Sequence, residues 1–202
     1  MKKIFLIVFL LSTVLGWTQT KSELFQSEKI RFYGLDFTFA KFVVHKKVPD
    51  SSTLVHRYYK EWNDMYLDDR KGFDMRRPLK KKKVSYDTAT YSINAQINPE
   101  DIIVYEGSNL ELKQIRKYIK NYSDFSKNGF GMVYIVESMN SKDKYLSAWL
   151  TFFDLKTGDL LFAEPIRVKA KGRNFTLLWA SAFDELYLES KNSYKVWYKL
   201  YK

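Results

Sequence analysis

Residues 146–155 constrain this chain more than any other stretch. Ala148, Trp149, Leu150, Phe152 and Phe153 leave too few polar positions for a strand with one wet face, so the segment reads as a strand buried on both sides. Such a strand must lie inside a sheet that other elements cover. Thr157-Gly158 follows as a tight turn in which glycine accepts a positive φ. Residues 160–170 then return. Ile166, Val168 and Ala170 alternate with Arg167, Lys169 and Lys171, and Pro165 removes a ladder donor, all marks of an edge strand. With the apolar run 132–136 and a turn at 140–144, these segments are expected to form a three-strand antiparallel meander.

Upstream, residues 32–44 read as one strand rich in Phe and Val. Asp50 or Ser51 caps a helix whose Leu54, Tyr58, Trp62 and Met65 recur at helical spacing. Residues 84–97 fit either one strand or a short strand at 84–87 followed by a short helix ending at Asn98-Pro99, and the second is favoured. Ser108 and Glu111 suggest a capping box for a helix carrying Leu112, Ile115, Ile119 and Tyr122. Gly172-Arg173-Asn174 opens a terminal helix with Leu178, Ala182, Phe183, Leu186 and Tyr187 toward the sheet. The fold class expected is α/β (or α+β): a single mixed sheet with a C-terminal antiparallel meander, packed by helices that include a long aromatic C-terminal one.

The hairpin 151–162, with Asp154 before Thr157-Gly158, resembles the hydrophobic–Asp–x–x–Thr–Gly hairpin of small cell-envelope α/β domains. These are the types seen in the amino-terminal domain of TolB and in the curli-export lipoprotein. Tyr33-Gly34-Leu35-Asp36-Phe37 and the aromatic terminal helix resemble a group of uncharacterised secreted gram-negative proteins. The resemblance implies an envelope scaffold or binding domain and carries no catalytic residue set. The chain has no cysteine, so the lipid anchor of the lipoprotein relatives has no counterpart here.

Met1-Lys2-Lys3, an apolar run over 4–15, and Gly16 and Thr18 before Gln19 describe a secretory signal peptide over 1–18. A single mixed domain over 19–202 follows, and the protein is expected to be periplasmic or secreted, with no transmembrane helix after cleavage. Without Lys2 and Lys3, the 34 basic residues fall to 32 against 23 acidic, a net of +9. Of this, +7 lies between Arg70 and Lys83, in Arg70, Lys71, Arg76, Arg77, Lys80, Lys81, Lys82 and Lys83 against Asp74. Arg76, Arg77 and Lys80 to Lys83 are the candidate ligand-binding residues, for an anionic envelope lipid or glycan; another envelope protein is the other partner considered. Nucleic acid is not expected, because no aromatics interleave with the lysines.

The inventory excludes most catalytic classes. There is no phosphate-binding glycine loop and no Gly-x-Ser-x-Gly elbow. Two histidines, His45 and His56, and no cysteine make a poor metal or triad set, so no metal and no cofactor are expected. Gly172, Arg173 and Asn174 are a candidate anion site at a helix start, against the plainer reading of a turn and N-cap. Asp36 and Asp154 are weighed as an acid–base pair against roles as a strand and a turn residue. Tyr194, Trp197, Tyr198 and Tyr201 are weighed as core against an exposed surface for a partner or glycan. The function expected is a non-enzymatic binding or envelope-accessory module; the alternative is a hydrolase or other enzyme with an unrecognised acidic site.

Overall fold

The computed structural model describes residues 20–44, 48–68, 72–107 and 109–202. The signal peptide expected over 1–18 falls outside these residues, as do His45, Arg70, Lys71 and Ser108. The order is α1 (Lys21–Gln26), β1 (Lys29–Asp36), β2 (Lys41–Val43), α2 (51–67), β3 (Lys83–Tyr86), α3 (Ala89–Asn94), β4 (Ile103–Val104), α4 (Leu112–Tyr118, then a 3₁₀ turn Ile119–Tyr122), β5 (Phe130–Asn140), β6 (Tyr145–Asp154), β7 (Leu160–Lys169) and α5 (Phe175–Tyr201).

All seven strands join one sheet, and the fold is mixed α/β. The expected sheet, centred on a C-terminal meander, is corrected. Four of the six strand pairings among the described residues are parallel: β1 with β3 and β5, and β2 with β4 and β5. Antiparallel ladders join β5 to β6 and β6 to β7 on the other flank. A local reading gives β5 a neighbour on one edge only. Its other edge takes the amino-terminal strands, about 100 residues earlier, through crossovers that leave no local signature.

The single strand expected over 32–44 is also two strands. β1 lies beside the first half of β5, Asp36 opposite Ile135, and β2 beside the second half, Lys41 opposite Ser138. Both faces of β5 are covered, which is why it is apolar from Phe130 to Val136. Met132, Tyr134 and Val136 meet α1, α2 and α5, whereas Val133 and Ile135 meet α4. Strand β6 is buried on both faces only in its second half; Tyr145, Ser147 and Trp149 are half-exposed.

Asp50 caps α2 by accepting from Thr53 N at 2.9 Å. A π turn over Leu54–Tyr58 then inserts an extra residue, so Tyr59, Trp62 and Tyr66 are fully buried while Tyr58 and Met65 pack half-buried at the core's edge. Residues 83–94 are strand then helix. The cap of α4 is Glu111, paired reciprocally with Gln114. Leu112, expected in the core, is exposed. No helix among the described residues is long and apolar enough to cross a membrane.

Candidate functional site

The site starts from one inserted residue. Between Phe32 and Leu35 the partner on β5 advances by two while β1 advances by three, a one-residue bulge. Gly34, at φ +82°, supplies the left-handed backbone. A slip of one residue reverses every later side chain, so Leu35 and Phe37 point into the larger core and Asp36 turns toward α4. Three buried polar side chains hold this break. Asn63 accepts from Leu35 N and donates to Leu35 O, both at 2.7 Å. Asn94 accepts from Phe37 N and donates to Leu35 O, both at 2.9 Å. Thr90 donates to Tyr33 O at 2.6 Å.

Asp36, at 0% exposure, accepts from Tyr118 Oη at 2.7 Å, from Tyr122 Oη at 2.5 Å and from Thr38 N at 2.8 Å. Tyr118 also lies 2.9 Å from Thr38 Oγ1. Its proton serves Asp36, so the threonine hydroxyl donates to it. Burial, and then the charge of Asp36, push both phenols well above the ordinary tyrosine range, and both are donors at neutral pH.

Beside this cluster, where parallel β1 ends and β2 begins, a cleft of about 650 Å³ opens. Such carboxyl-end crevices are where α/β sheets commonly seat ligands. Its polar wall is Thr38, Tyr118, Lys41, Asn98, Asp101 and Asn121, with Ile93, Ile97 and Ile102 beneath. Lys41 Nζ donates to Asp101 O at 2.6 Å, and Asn98 Nδ2 donates to Asp101 Oδ2 at 3.2 Å. None of these residues except Asp36 stood out in the sequence. The readable signal was the pair Tyr118 and Tyr122, four apart on one helical face, but Tyr122 reads there as core.

The basic segment is dispersed by folding. Arg76 forks Asp74 at 2.8 and 2.9 Å, holding that carboxyl below its ordinary range, with Arg77 at 4.0 Å. Lys82 pairs with Glu28. Lys80 lies 4.7 Å over the Tyr198 ring, and Lys83 stands exposed on β3. Lys81 is buried: its ammonium donates to Leu24 O at 2.6 Å and Ser27 O at 2.7 Å, closing the last turn of α1, and burial pushes it down to about 8. Replacing Lys80 to Lys83 together therefore removes an anchor as well as charge.

Gly172-Arg173-Asn174 forms the plain N-cap, Asn174 accepting from Leu177 N at 2.9 Å. Asp36 and Asp154 do not converge. They sit opposite Ile135 and Phe130, on the strands either side of β5 and five positions apart along it, so they are offset by roughly 16 Å along the strand alone. Asp154 accepts from Lys156 N and Thr157 N, shaping the turn. His56 is exposed beside a pocket of about 150 Å³. Among the described residues no His/Asp/Glu group is arranged to hold a metal. The terminal aromatics are spent on packing: Tyr194 is buried, Tyr201 stacks on Phe25, and Trp197 meets Phe162 edge-on.

No protein-family model and no curated protein matches this chain. A solved structure described as "Crystal structure of uncharacterized protein" aligns with 83% of this chain and 90% of its own, at 7% identity and a TM-score of 0.31, too slight a likeness for fold or function to be read from it.

Proposed function

We propose that the chain is a secreted or periplasmic, non-enzymatic binding module of the cell envelope, and that its ligand seat is the cleft at the β1–β2 break. The observation that carries this is the balance of the wall. One ammonium and one carboxylate, Lys41 and Asp101, accompany hydroxyls and amides that both donate and accept. Such a set fits a neutral, polyhydroxylated ligand such as a sugar unit, and the volume is of small-ligand size. The rival, a hydrolase with an acidic site, needs two carboxylates converging on one cavity. Asp101 is the one carboxylate on this wall among the described residues, and the buried Asp36 already accepts three hydrogen bonds. Export rests on the leader-like residues 1–18, and the envelope role on the hairpin resemblance.

The test is amide-shift mapping of the mature chain with N-acetylhexosamine and hexose oligosaccharides. Perturbations are expected at Thr38, Lys41, Asn98 and Asn121, with affinity falling at least tenfold in Lys41→Ala/Asn121→Ala. Shifts elsewhere only, or cleavage of the oligosaccharide, would overturn the proposal.

A further inference from the structure

The carboxy-terminal half of α5 carries a second, independent surface. Between residues 190 and 202 there are four lysines and no Asp or Glu. Lys191, Lys195 and Lys199, each four residues from the next, form one exposed ridge about 12 Å long. The neighbouring ridge carries Leu188, Val196 and Leu200, which are 49, 56 and 68% exposed. The opposite side of the helix is buried through Leu186, Ser190 and Tyr194, so this orientation is fixed by the core.

The basic segment adds to the same end. Lys80 and Lys202 flank the Tyr198 ring at 4.7 and 4.8 Å. Gln26, Tyr198, Lys199 and Lys202 line a shallow, open depression there. None of Lys191, Lys195 and Lys199 forms an ion pair among the described residues. Glu189, the nearest carboxylate in sequence, lies within 3.4 Å of Asn192 Nδ2. Apolar side chains beside unneutralised ammonium groups on one exposed helical face are the chemistry of an interfacial helix. A second copy of this face would meet it lysine against lysine, which disfavours self-association.

We propose that this face docks the folded protein on an anionic phospholipid surface, the lysines reaching headgroup phosphates while Val196 and Leu200 enter the headgroup boundary. It does not depend on the cleft. The test is co-sedimentation of the mature protein with phosphatidylglycerol/phosphatidylcholine vesicles, against phosphatidylcholine alone, at low and high salt. Wild type is expected to bind only the anionic vesicles and to release as salt rises. Lys195→Gln/Lys199→Gln/Lys202→Gln should weaken binding roughly 100-fold, from about fivefold for each of the three lysines near the surface. All three side chains are exposed, so the melting temperature should not move. Val196→Ser/Leu200→Ser should weaken binding without changing its salt slope. Equal binding to both vesicle types, a triple variant that binds like wild type, or salt-insensitive binding would overturn the proposal. So would failure to bind vesicles together with dimerisation that Val196→Ser/Leu200→Ser abolishes.

Discussion

A carboxyl taken wholly out of water persists only where its oxygens are met, and Asp36 meets them with two phenols and one backbone amide. The expected losses follow from which partner is orphaned. Tyr122→Phe deletes one charge-assisted bond and leaves the others, so it should cost about 1.5–3 kcal/mol. Asp36→Asn should cost more, about 3 kcal/mol, because its amide oxygen can keep the Thr38 N–H but its NH₂ then faces both phenols, which lose their charged acceptor and must turn to accept. Urea midpoints measure both. A Tyr122→Phe protein as stable as wild type would sink this account. Asp36 stood out in the sequence as a strand residue, but its partners stand 82 and 86 positions away, beyond any local pattern.

At the scale of elements, legibility follows the range of the forces. The Thr157-Gly158 turn and the 27-residue α5 were readable because their determinants are local: Asp154 accepting from the next residues, Gly158 at positive φ, Asn174 capping. The β1–β2 break was not, because Asn63 and Asn94 reach it from 28 and 59 residues away. Nothing local distinguishes a bulge glycine from a loop glycine, nor shows the π turn that rotates the buried stripe of α2. The break should be brittle. Gly34→Ala would force a side chain into left-handed backbone with its Cβ 2.3 Å from Asn63 Oδ1. Asn63→Ala would strand Leu35 N, one of the buried donors of the bulge. Each should lower stability by about 2 kcal/mol or more. The double variant should lose less than the sum, since Asn63→Ala removes the obstacle to the new Cβ. Additive losses in urea unfolding would show that the clash does not matter.

The whole molecule is held by interlocked aromatics, many of them phenols, and this ties its stability to alkaline pH. Tyr59, Tyr66, Tyr122, Tyr134 and Tyr194 are buried, and burial raises each above the ordinary value of 10.0. Their folded-state pKa values exceed the unfolded ones, so their contribution is complete below pH 10. Above it the unfolded chain sheds protons that the folded chain keeps, and stability falls by about 1.4 kcal/mol per pH unit for each phenol, or about 7 kcal/mol for the five. Lys81 runs the other way. Its folded pKa is lowered to about 8 from 10.5, so across that window the unfolded chain holds the extra proton and stability rises with pH, by about 3 kcal/mol at most. Urea midpoints should therefore climb between pH 8 and 10 and drop steeply above. Against a total of ~5–15 kcal/mol, unfolding should be complete within roughly two units of pH 10. The tyrosinate band at 295 nm should grow together with the loss of near-ultraviolet dichroism, in one transition. Lys81→Met should flatten the rise and leave the alkaline drop in place. If the phenols instead ionise gradually around pH 10 with tertiary structure intact, they are not the interior of this protein.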